Sequence, residues 1–512
     1  MYRGYALRAM FEVRRCLYRA RRVAFQTVRS SSNRGWPAMW LGLMALVVSG
    51  QVLGASDLGE FLAGPVETAR RAAPALGVHV VDIASGETVY EYEAEELRII
   101  ASNTKLFTTA TALDSLGPGY FFETNVMMRG DLRDHKLVGD LAVIGGGDPN
   151  ISGRLFEGDS LAVMRDWALE LQRLGVHRVE GDIYLISGLF EPPRVHPDWP
   201  KDQLSRWYEA PVEALSFNDN SVLVRVWPGH RGGQPARVEI VPDLPIFEVR
   251  NSAKTTDSSK EHRVIIDRVD GSNVLTVSGS VFRHAAPVES WVAVADPLLY
   301  FGAALRKAFS EAGVELAGRI LVSPKLPLSE WKWAAGYRTD LMTTAEVINK
   351  RSQNFFAESL LKLMGAELCG AGSWEAGRSV VREFLFRVGI EPETYSMADG
   401  SGMSRGNRFS PRQITQLLSY MYFHPRGRDF LLTLPYSGEP GLKWETRLAE
   451  PPYRGNVFAK TGSLSGVSTL SGYAKATSGR IYAFSILGNK SRSNWQSRKA
   501  QDGIVRAIID HG

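Results

Sequence analysis

The stretch "RIIASNTKLFTTATALDSLG", Arg98 to Gly117, decides how the rest of the chain is read. Ser102 and Lys105 stand three positions apart at the head of a run in which Leu106, Phe107, Ala110 and Leu113 recur at helical spacing. Gly117-Pro118 then stops the predicted helix. A lysine at i+3 lies on the serine's face of a helix, so its amine can approach the hydroxyl. Serine is a weak nucleophile until a base takes its proton. Lysine becomes that base only when burial or a neighbouring cation lowers its pKa. Ser-x-x-Lys therefore has the form of a nucleophile paired with its base. Ser329/Lys332 and Ser359/Lys362 repeat the spacing, however, so by itself it reads as a capping serine followed by a solvated lysine.

Two further segments change that balance. Ser352-Gln353-Asn354 fits S-x-N and falls inside "TTAEVINKRSQNFFAESLLKLMG", Thr343 to Gly365, which is predicted as one helix from the spacing of Val347, Ile348, Phe355, Leu360 and Leu361. Ser216-Phe217-Asn218 is a decoy for the same pattern. Lys460-Thr461-Gly462-Ser463 fits K-T-G, occurs once, and leads into "LSGVSTLSGYA", which reads as an edge strand and turn. Such a strand can receive an extended peptide. Glycine keeps its face open, lysine attracts a carboxylate, and backbone groups pair with the substrate. The order S-x-x-K, S-x-N, K-T-G is shared with penicillin-recognising serine enzymes.

Composition bounds the alternatives. A chain of 512 residues is long enough for two or three domains, and 44% hydrophobic with 22% charged residues is ordinary for a globular protein. The net charge of +5 is concentrated in the first 34 residues, where nine arginines face one acid, Glu12. The remainder is near neutral, which argues against a nucleic-acid partner. Trp36 to Ser56 is uncharged and apolar, ending in small residues. Residues 1–56 therefore read as a basic n-region plus either a cleaved secretory signal or an N-terminal anchor in the plasma membrane, with the rest exported. Cys16 lies in that leader, leaving Cys369 alone, so no internal disulfide is expected. The nine histidines are scattered, without H-E-x-x-H or a Cys/His cluster, and a zinc enzyme is not indicated.

Along the chain, "LGVHVVDIASGETVYEYEAEE" from Leu76 reads as a β-hairpin, "RIYAFSILGN" near the end as a buried strand, and "DGIVRAIIDH" as a terminal helix. Between about 123 and 337, short β-like runs alternate with Gly/Pro/Asn/Asp turns, as in "KLVGDLAVIGGGDPNIS" and "NVLTVSGSV". The expected division is a catalytic domain in two pieces, 57–122 and 338–512, interrupted by one or two β-rich modules over 123–337. The first two motifs are 250 positions apart, too far for a plain β-lactamase.

The three motifs come together with "GGGDPNIS" (Gly145 to Ser152), "WYEAPVEALSFNDNS" (Trp207 to Ser221), "INKRSQNFFAESLLKLMG" (Ile348 to Gly365), "DGSGMSRGN" (Asp399 to Asn407) and "KTGSLSGVSTLSGY" (Lys460 to Tyr473). On these segments the chain from about Leu76 onward resembles the class C low-molecular-mass penicillin-binding proteins, the D-alanyl-D-alanine carboxypeptidase/endopeptidase family. The resemblance implies an α+β transpeptidase-type fold, an antiparallel sheet flanked by helices and carrying an inserted region. It implies that Ser102 is acylated, that Lys105 is its base, and that Ser352 and Asn354 shuttle the proton and hold the substrate amide. Lys460 and Thr461 would bind the terminal carboxylate, and the backbone N–H groups of Ser102 and Ser463, beside Gly462, would form the oxyanion hole. "DGSGMSRGN" stays outside the site as a structural turn. The implied substrates are peptidoglycan stem peptides in the periplasm, with β-lactam antibiotics as covalent inhibitors and no cofactor or metal.

Some positions depart from the family. Ile100 replaces a proline, and "SGEPGLKWETR" (Ser437 to Arg447) replaces a glycine-threonine-leucine run. Ile186 falls where several relatives carry an aspartate that contacts the free amino end of the stem peptide. A β-lactamase or esterase on the same scaffold, or a wall-binding module without turnover, are the competing functions.

Overall fold

The structure is a computed structural model that describes residues 57–512 except Ser329. The basic leader and its apolar run lie outside the described residues, and so does Cys16, on which the disulfide expectation turns; Cys369 is not a free thiol. No described helix is long and apolar enough to cross a membrane.

The chain enters through helix α1 (Asp57–Ala72) and forms the predicted hairpin, β1 (Ala75–Asp82) with β2 (Thr88–Tyr92). Helix α2 (Thr104–Ser115) carries the opening motif and ends at Gly117, whose φ of +80° is costly for any residue with a Cβ. The inserted region leaves along β3 (Phe121–Arg133), runs on through β4 (Lys136–Ile144) and β5 (Ile183–Ile186), and returns along β6 (Lys332–Asp340). Then come helices α3 (Leu341–Lys350), α4 (Asn354–Met364) and α5 (Trp374–Val388), strands β7 (Val457–Leu464), β8 (Val467–Lys475) and β9 (Ile481–Asn489), and helix α6 (Asn494–His511).

One antiparallel sheet of five strands, ordered β7-β8-β9-β1-β2, organises the catalytic part. Alternation along β9 decides its two faces. Tyr482, Phe484 and Ile486 join Leu62 of α1 and Ile504 and Ile508 of α6 in one core. Ala483 and Leu487 point the other way, into the larger core built with Phe107 of α2 and Leu360 of α4. Each such fully buried side chain contributes roughly 1.5–3 kcal/mol of transfer free energy. β7, which carries K-T-G, is at the sheet's edge beside the N-terminal turn of α2, whereas "LSGVSTLSGYA", read from sequence as the edge strand, is the turn and the interior strand β8, paired on both sides.

The inserted region holds two separate cores. A seven-stranded sheet containing β3, β4, β5 and β6 packs on helices Ala162–Arg173 and Pro297–Glu311. A smaller β unit has its own core around Val224, Leu275 and Val277. The segment is thus not purely β; Asp296 caps the second helix by accepting from Leu298 and Leu299 N–H groups at 3.0 and 3.2 Å. β3 and β6 pair antiparallel with Phe121 opposite Asp340, so the strands that leave and return extend slightly past 123 and 337.

The single helix expected over Thr343–Gly365 is two helices. Asp340 caps α3, accepting from Thr343 N at 2.6 Å, and the helix stops at Lys350. Ser352 takes a left-handed φ of +58° and Gln353 is extended before α4 starts. A left-handed non-glycine residue costs on the order of 1–3 kcal/mol unless the surroundings hold it. Here they do: the Ser352 hydroxyl accepts from Lys460 Nζ at 2.8 Å and the Gln353 amide donates to Asp219 at 2.8 Å.

Candidate active site

Ser102 sits in a short 3-10 turn, Ala101–Asn103, just before α2. Ala101 has φ +47°, so the residue preceding the hydroxyl is held in a strained backbone region. Its neighbours impose that shape. Asn103 Nδ2 donates to the Lys460 carbonyl at 2.7 Å, and Thr469 Oγ1 donates to the Ile100 carbonyl at 3.0 Å. The nucleophile turn is therefore fastened to β7 and β8 on both sides of Ser102. Gly462 makes the approach possible: a Cβ there would lie 2.7 Å from the Ile100 carbonyl oxygen and 3.0 Å from Ser102 N.

Lys105 is fully buried at 0% exposure, and its amine has three partners. They are Ser102 Oγ at 3.0 Å, Asn354 Oδ1 at 2.7 Å and the Ser401 carbonyl at 2.6 Å. The amide of Asn354 is oriented by its Nδ2, which donates to the Tyr208 carbonyl at 2.9 Å. Two of the three partners can only accept. A neutral amine has two N–H bonds and one lone pair; the two obligatory acceptors take the N–H bonds, and the lone pair is left facing the Ser102 hydroxyl. Burial pushes the amine's pKa down to about 7, against the opposing pull of the Glu358 and Asp399 carboxylates. Lys105 is thus poised as a general base near neutral pH.

Lys460 is 1% exposed and donates to Ser352 Oγ and to the Thr461 carbonyl at 2.9 Å. Burial first, then the Lys105 and Lys443 cations, hold its pKa well below the usual lysine range. An incoming carboxylate would supply the anion that this amine lacks. Ser463 is exposed at the end of β7 and accepts from Asn494 Nδ2 at 2.9 Å.

Ser102, Ser352, Asn354, Lys460, Thr461, Gly462 and Ser463 line one pocket of about 510 Å³, with the buried Lys105 behind it. Among the described residues its charged lining consists of Lys350, Arg351, Lys443, Arg447, Lys460 and Arg498, with no carboxylate. Ile186 is not at this pocket. It is buried in β5, inside the sheet of the inserted region. The decoys separate cleanly where they are described. Ser359 and Lys362 are buried in α4, and Lys362 donates to the Glu191 and Pro193 carbonyls at 2.6 and 3.1 Å. Ser329 lies outside the described residues.

Sequence reasoning missed three contributors. The carbonyls of Tyr208 and Ser401 act through the backbone, which carries no residue signature. "DGSGMSRGN", set aside as structural, supplies Ser401 directly to Lys105. Glu358, one turn beyond Asn354, was readable as a same-face neighbour at i+4.

The chain is 33% identical over 451 residues to a D-alanyl-D-alanine carboxypeptidase of Actinomadura sp. (strain R39), covering 85% of this chain and 81% of that one. It is 26% identical over 436 residues to the D-alanyl-D-alanine carboxypeptidase DacB of Haemophilus influenzae, covering 84% and 89%. The crystal structure of penicillin binding protein 4 from Haemophilus influenzae shares the fold, with a TM-score of 0.75 at 23% identity over 86% of this chain and 98% of that one. The family described as D-Ala-D-Ala carboxypeptidase 3 (S13) matches residues 66–509, and the chain is a member of that family.

Proposed function

We propose that the protein is an exported serine DD-peptidase that removes the terminal D-alanine from peptidoglycan stem peptides through an acyl-serine intermediate on Ser102. The observation that carries this is the Lys105 amine, buried, lowered to about 7, and 3.0 Å from Ser102 Oγ with its other two partners both acceptors. Ser102 Oγ attacks the carbonyl of the penultimate D-alanine while its proton passes to Lys105. The tetrahedral oxyanion forms beside the Ser102 and Ser463 N–H groups. Collapse breaks the C–N bond, the leaving amine takes a proton, and water then hydrolyses the ester. Lys460 and Thr461 hold the terminal carboxylate.

The same chemistry extends to two neighbouring substrates. In a D-amino-acid cross-link the leaving amine belongs to a neighbouring stem, which makes the enzyme an endopeptidase as well. In penicillin the leaving nitrogen stays tethered, so Ser102 remains acylated. One solved structure of the Haemophilus influenzae protein, similar in fold at a TM-score of 0.72, is a complex with a β-lactam. Export to the periplasm is supported by the arginine-rich start followed by an uncharged run. Fractionation with N-terminal sequencing separates a cleaved, soluble form from a membrane-anchored one, and cytosolic protein would refute export.

The deciding experiment incubates the protein with purified muropeptides, monomeric and cross-linked, and reads products by mass. Loss of one alanine from monomeric pentapeptide establishes the carboxypeptidase. Conversion of dimers to monomers establishes the endopeptidase. Intact muropeptides together with rapid turnover of penicillin would replace the proposal with a β-lactamase.

A further inference from the structure

Glu358 is the charged group nearest the catalytic pair that the mechanism above leaves without a task. It lies on α4, one turn beyond Asn354, and is fully buried. Its Oε1 accepts from Ser401 N at 2.7 Å, and its Oε2 accepts from Gly400 N at 2.9 Å and from Trp374 Nε1 at 2.7 Å. The opposite sides of the same two residues face α2. The Gly400 carbonyl accepts from Thr108 Oγ1 at 2.7 Å, and the Ser401 carbonyl accepts from Lys105 Nζ. Gly400 and Ser401 are therefore stretched between one carboxylate and the helix that bears the base.

We propose that Glu358 is a positioning residue for acylation: it fixes the Ser401 carbonyl that aims the Lys105 lone pair at Ser102. Burial, with Asp399 beside it, raises the Glu358 carboxyl to about 7, so it and the Lys105 amine titrate over one range, and loss of the carboxylate shifts the pH at which the amine gives up its proton. The inference rests on Lys105 being the base of Ser102. Without the Ser401 carbonyl, one N–H of the neutral amine has no obligatory acceptor, and the lone pair is free to turn from the hydroxyl. Water is excluded here, so the hydrogen bonds and the charge act with little screening.

Asp399 also favours the charged Lys105 amine, but no other charge around Glu358 duplicates its hold on Ser401. Asp399 precedes Gly400, but its two oxygens are taken by Gly402 N, Asn407 Nδ2, Ser404 N and Trp199 Nε1. His196 bonds the Ala398 carbonyl on the far side of that loop. Lys362, one turn further along α4, is held by carbonyls of the inserted region. α5 meets the carboxylate with the indole N–H of Trp374 rather than a charge. Lys460 faces Lys105 from β7 and opposes its protonation whether or not Glu358 is charged.

The test is the pH dependence of penicillin acylation, measured as a second-order rate by mass, for wild type, Glu358→Gln, Glu358→Asp and Trp374→Phe, each with a melting curve. Removing the anion favours the neutral amine, so the acid limb of Glu358→Gln moves to lower pH. Its plateau falls about tenfold or more, because the new amide NH2 confronts a backbone N–H and releases the turn. Glu358→Asp keeps the limb in place with a reduced plateau, because the charge remains and the reach is shortened. Trp374→Phe removes a donor that favours the Glu358 anion, so more of that carboxyl is protonated across the limb and the limb moves the same way by less, which carries the test if Glu358→Gln does not fold. Limbs that stay put in both Glu358→Gln and Trp374→Phe, with rates that merely track the loss of melting temperature, overturn the proposal. Wild-type protein that penicillin leaves untouched would sink both the assignment of Ser102 and this inference, whereas an acylated wild type with unshifted variants sinks the inference alone.

Discussion

Gly462→Ala tests whether K-T-G serves the nucleophile by closeness as well as by charge. The added methyl would sit 2.2 Å from Thr469 Oγ1, 2.7 Å from the Ile100 carbonyl oxygen and 3.0 Å from Ser102 N. The threonine tip could rotate, at the loss of its 3.0 Å bond to Ile100. The other two atoms are backbone. Restoring ordinary contact of roughly 3.4 Å means separating β7 from the Ser102 turn by about 0.7 Å at Ile100 and about 0.4 Å at Ser102. Overpacking of this kind costs typically about 1–3 kcal/mol of stability. The same shift displaces the Ser102 N–H from the Ser463 N–H across the oxyanion position. Loss of one such donor is worth about 2.7–4 kcal/mol, or roughly 100- to 1000-fold in rate. The expected result is a folded protein, melting a few degrees lower, whose penicillin acylation is slowed at least about 100-fold. Thr469→Ala in the same chain should recover part of the stability and little of the rate, because the backbone contacts remain. Acylation of Gly462→Ala at the wild-type rate would refute the idea that Gly462 sets the distance between strand and nucleophile.

The remaining predictions concern charge and anchoring. Folded Lys105 has a pKa of about 7 against an ordinary value of 10.5, so between those values the unfolded chain binds more protons and stability rises with pH. Lys105→Met should flatten that rise, as read by urea unfolding at several pH values between about 7 and 10; an unchanged slope would remove Lys105 as its source. Lys460→Ala should lower kcat/KM on peptides with a free terminal carboxylate by roughly ten- to a hundredfold, and by less on amidated ones; an equal loss on both would exclude a carboxylate clamp. Because no carboxylate lines the pocket, acetylating the far amine of a stem peptide should change kcat/KM less than about tenfold; a larger drop would point to an acid brought in by movement. Asp219→Ala removes the acceptor of Gln353 and should slow acylation about tenfold by loosening Ser352 and Asn354; a wild-type rate would show that the other contacts of this segment suffice.

The catalytic motifs were legible because their chemistry is local. Ser102 and Lys105 are three residues apart, and K-T-G lies on one short strand, so spacing alone predicts which side chains share a face. The hairpin and the terminal helix follow from the same periodicities, whereas the segment read as an edge strand is interior because its second partner lies on a distant part of the chain. Ser352 was harder: the apolar residues on either side of it recur at helical spacing, and the left-handed turn is held by Lys460 and Asp219, which are distant in sequence. The Tyr208 and Ser401 contacts are made by carbonyls, which any residue at those positions would offer. Ile186 was placed by the resemblance rather than by periodicity, and β5, buried on both faces, offers no alternation that shows which residue reaches the site. Helices within the inserted region were overlooked among strong turn signals, although Asp296-Pro297 marks the start of one.

The pairing of Phe121 with Asp340 has a consequence for how this chain can be edited. The two ends of the inserted region emerge side by side, so a short connector could join α2 to α3 and excise everything between without stretching the remaining scaffold. Such a miniature would keep the five-stranded sheet, Ser102, Lys105 and Lys460. It would lose the Tyr208 carbonyl that orients the Asn354 amide, the Asp219 carboxylate that holds Gln353, and Phe190, Trp199 and Val212 from the larger core. The cassette is thus joined to the scaffold at neighbouring chain ends but enlisted by both the chemistry and the core, and transplanting it into a smaller serine hydrolase of this fold would require carrying both clasps and their apolar seat along.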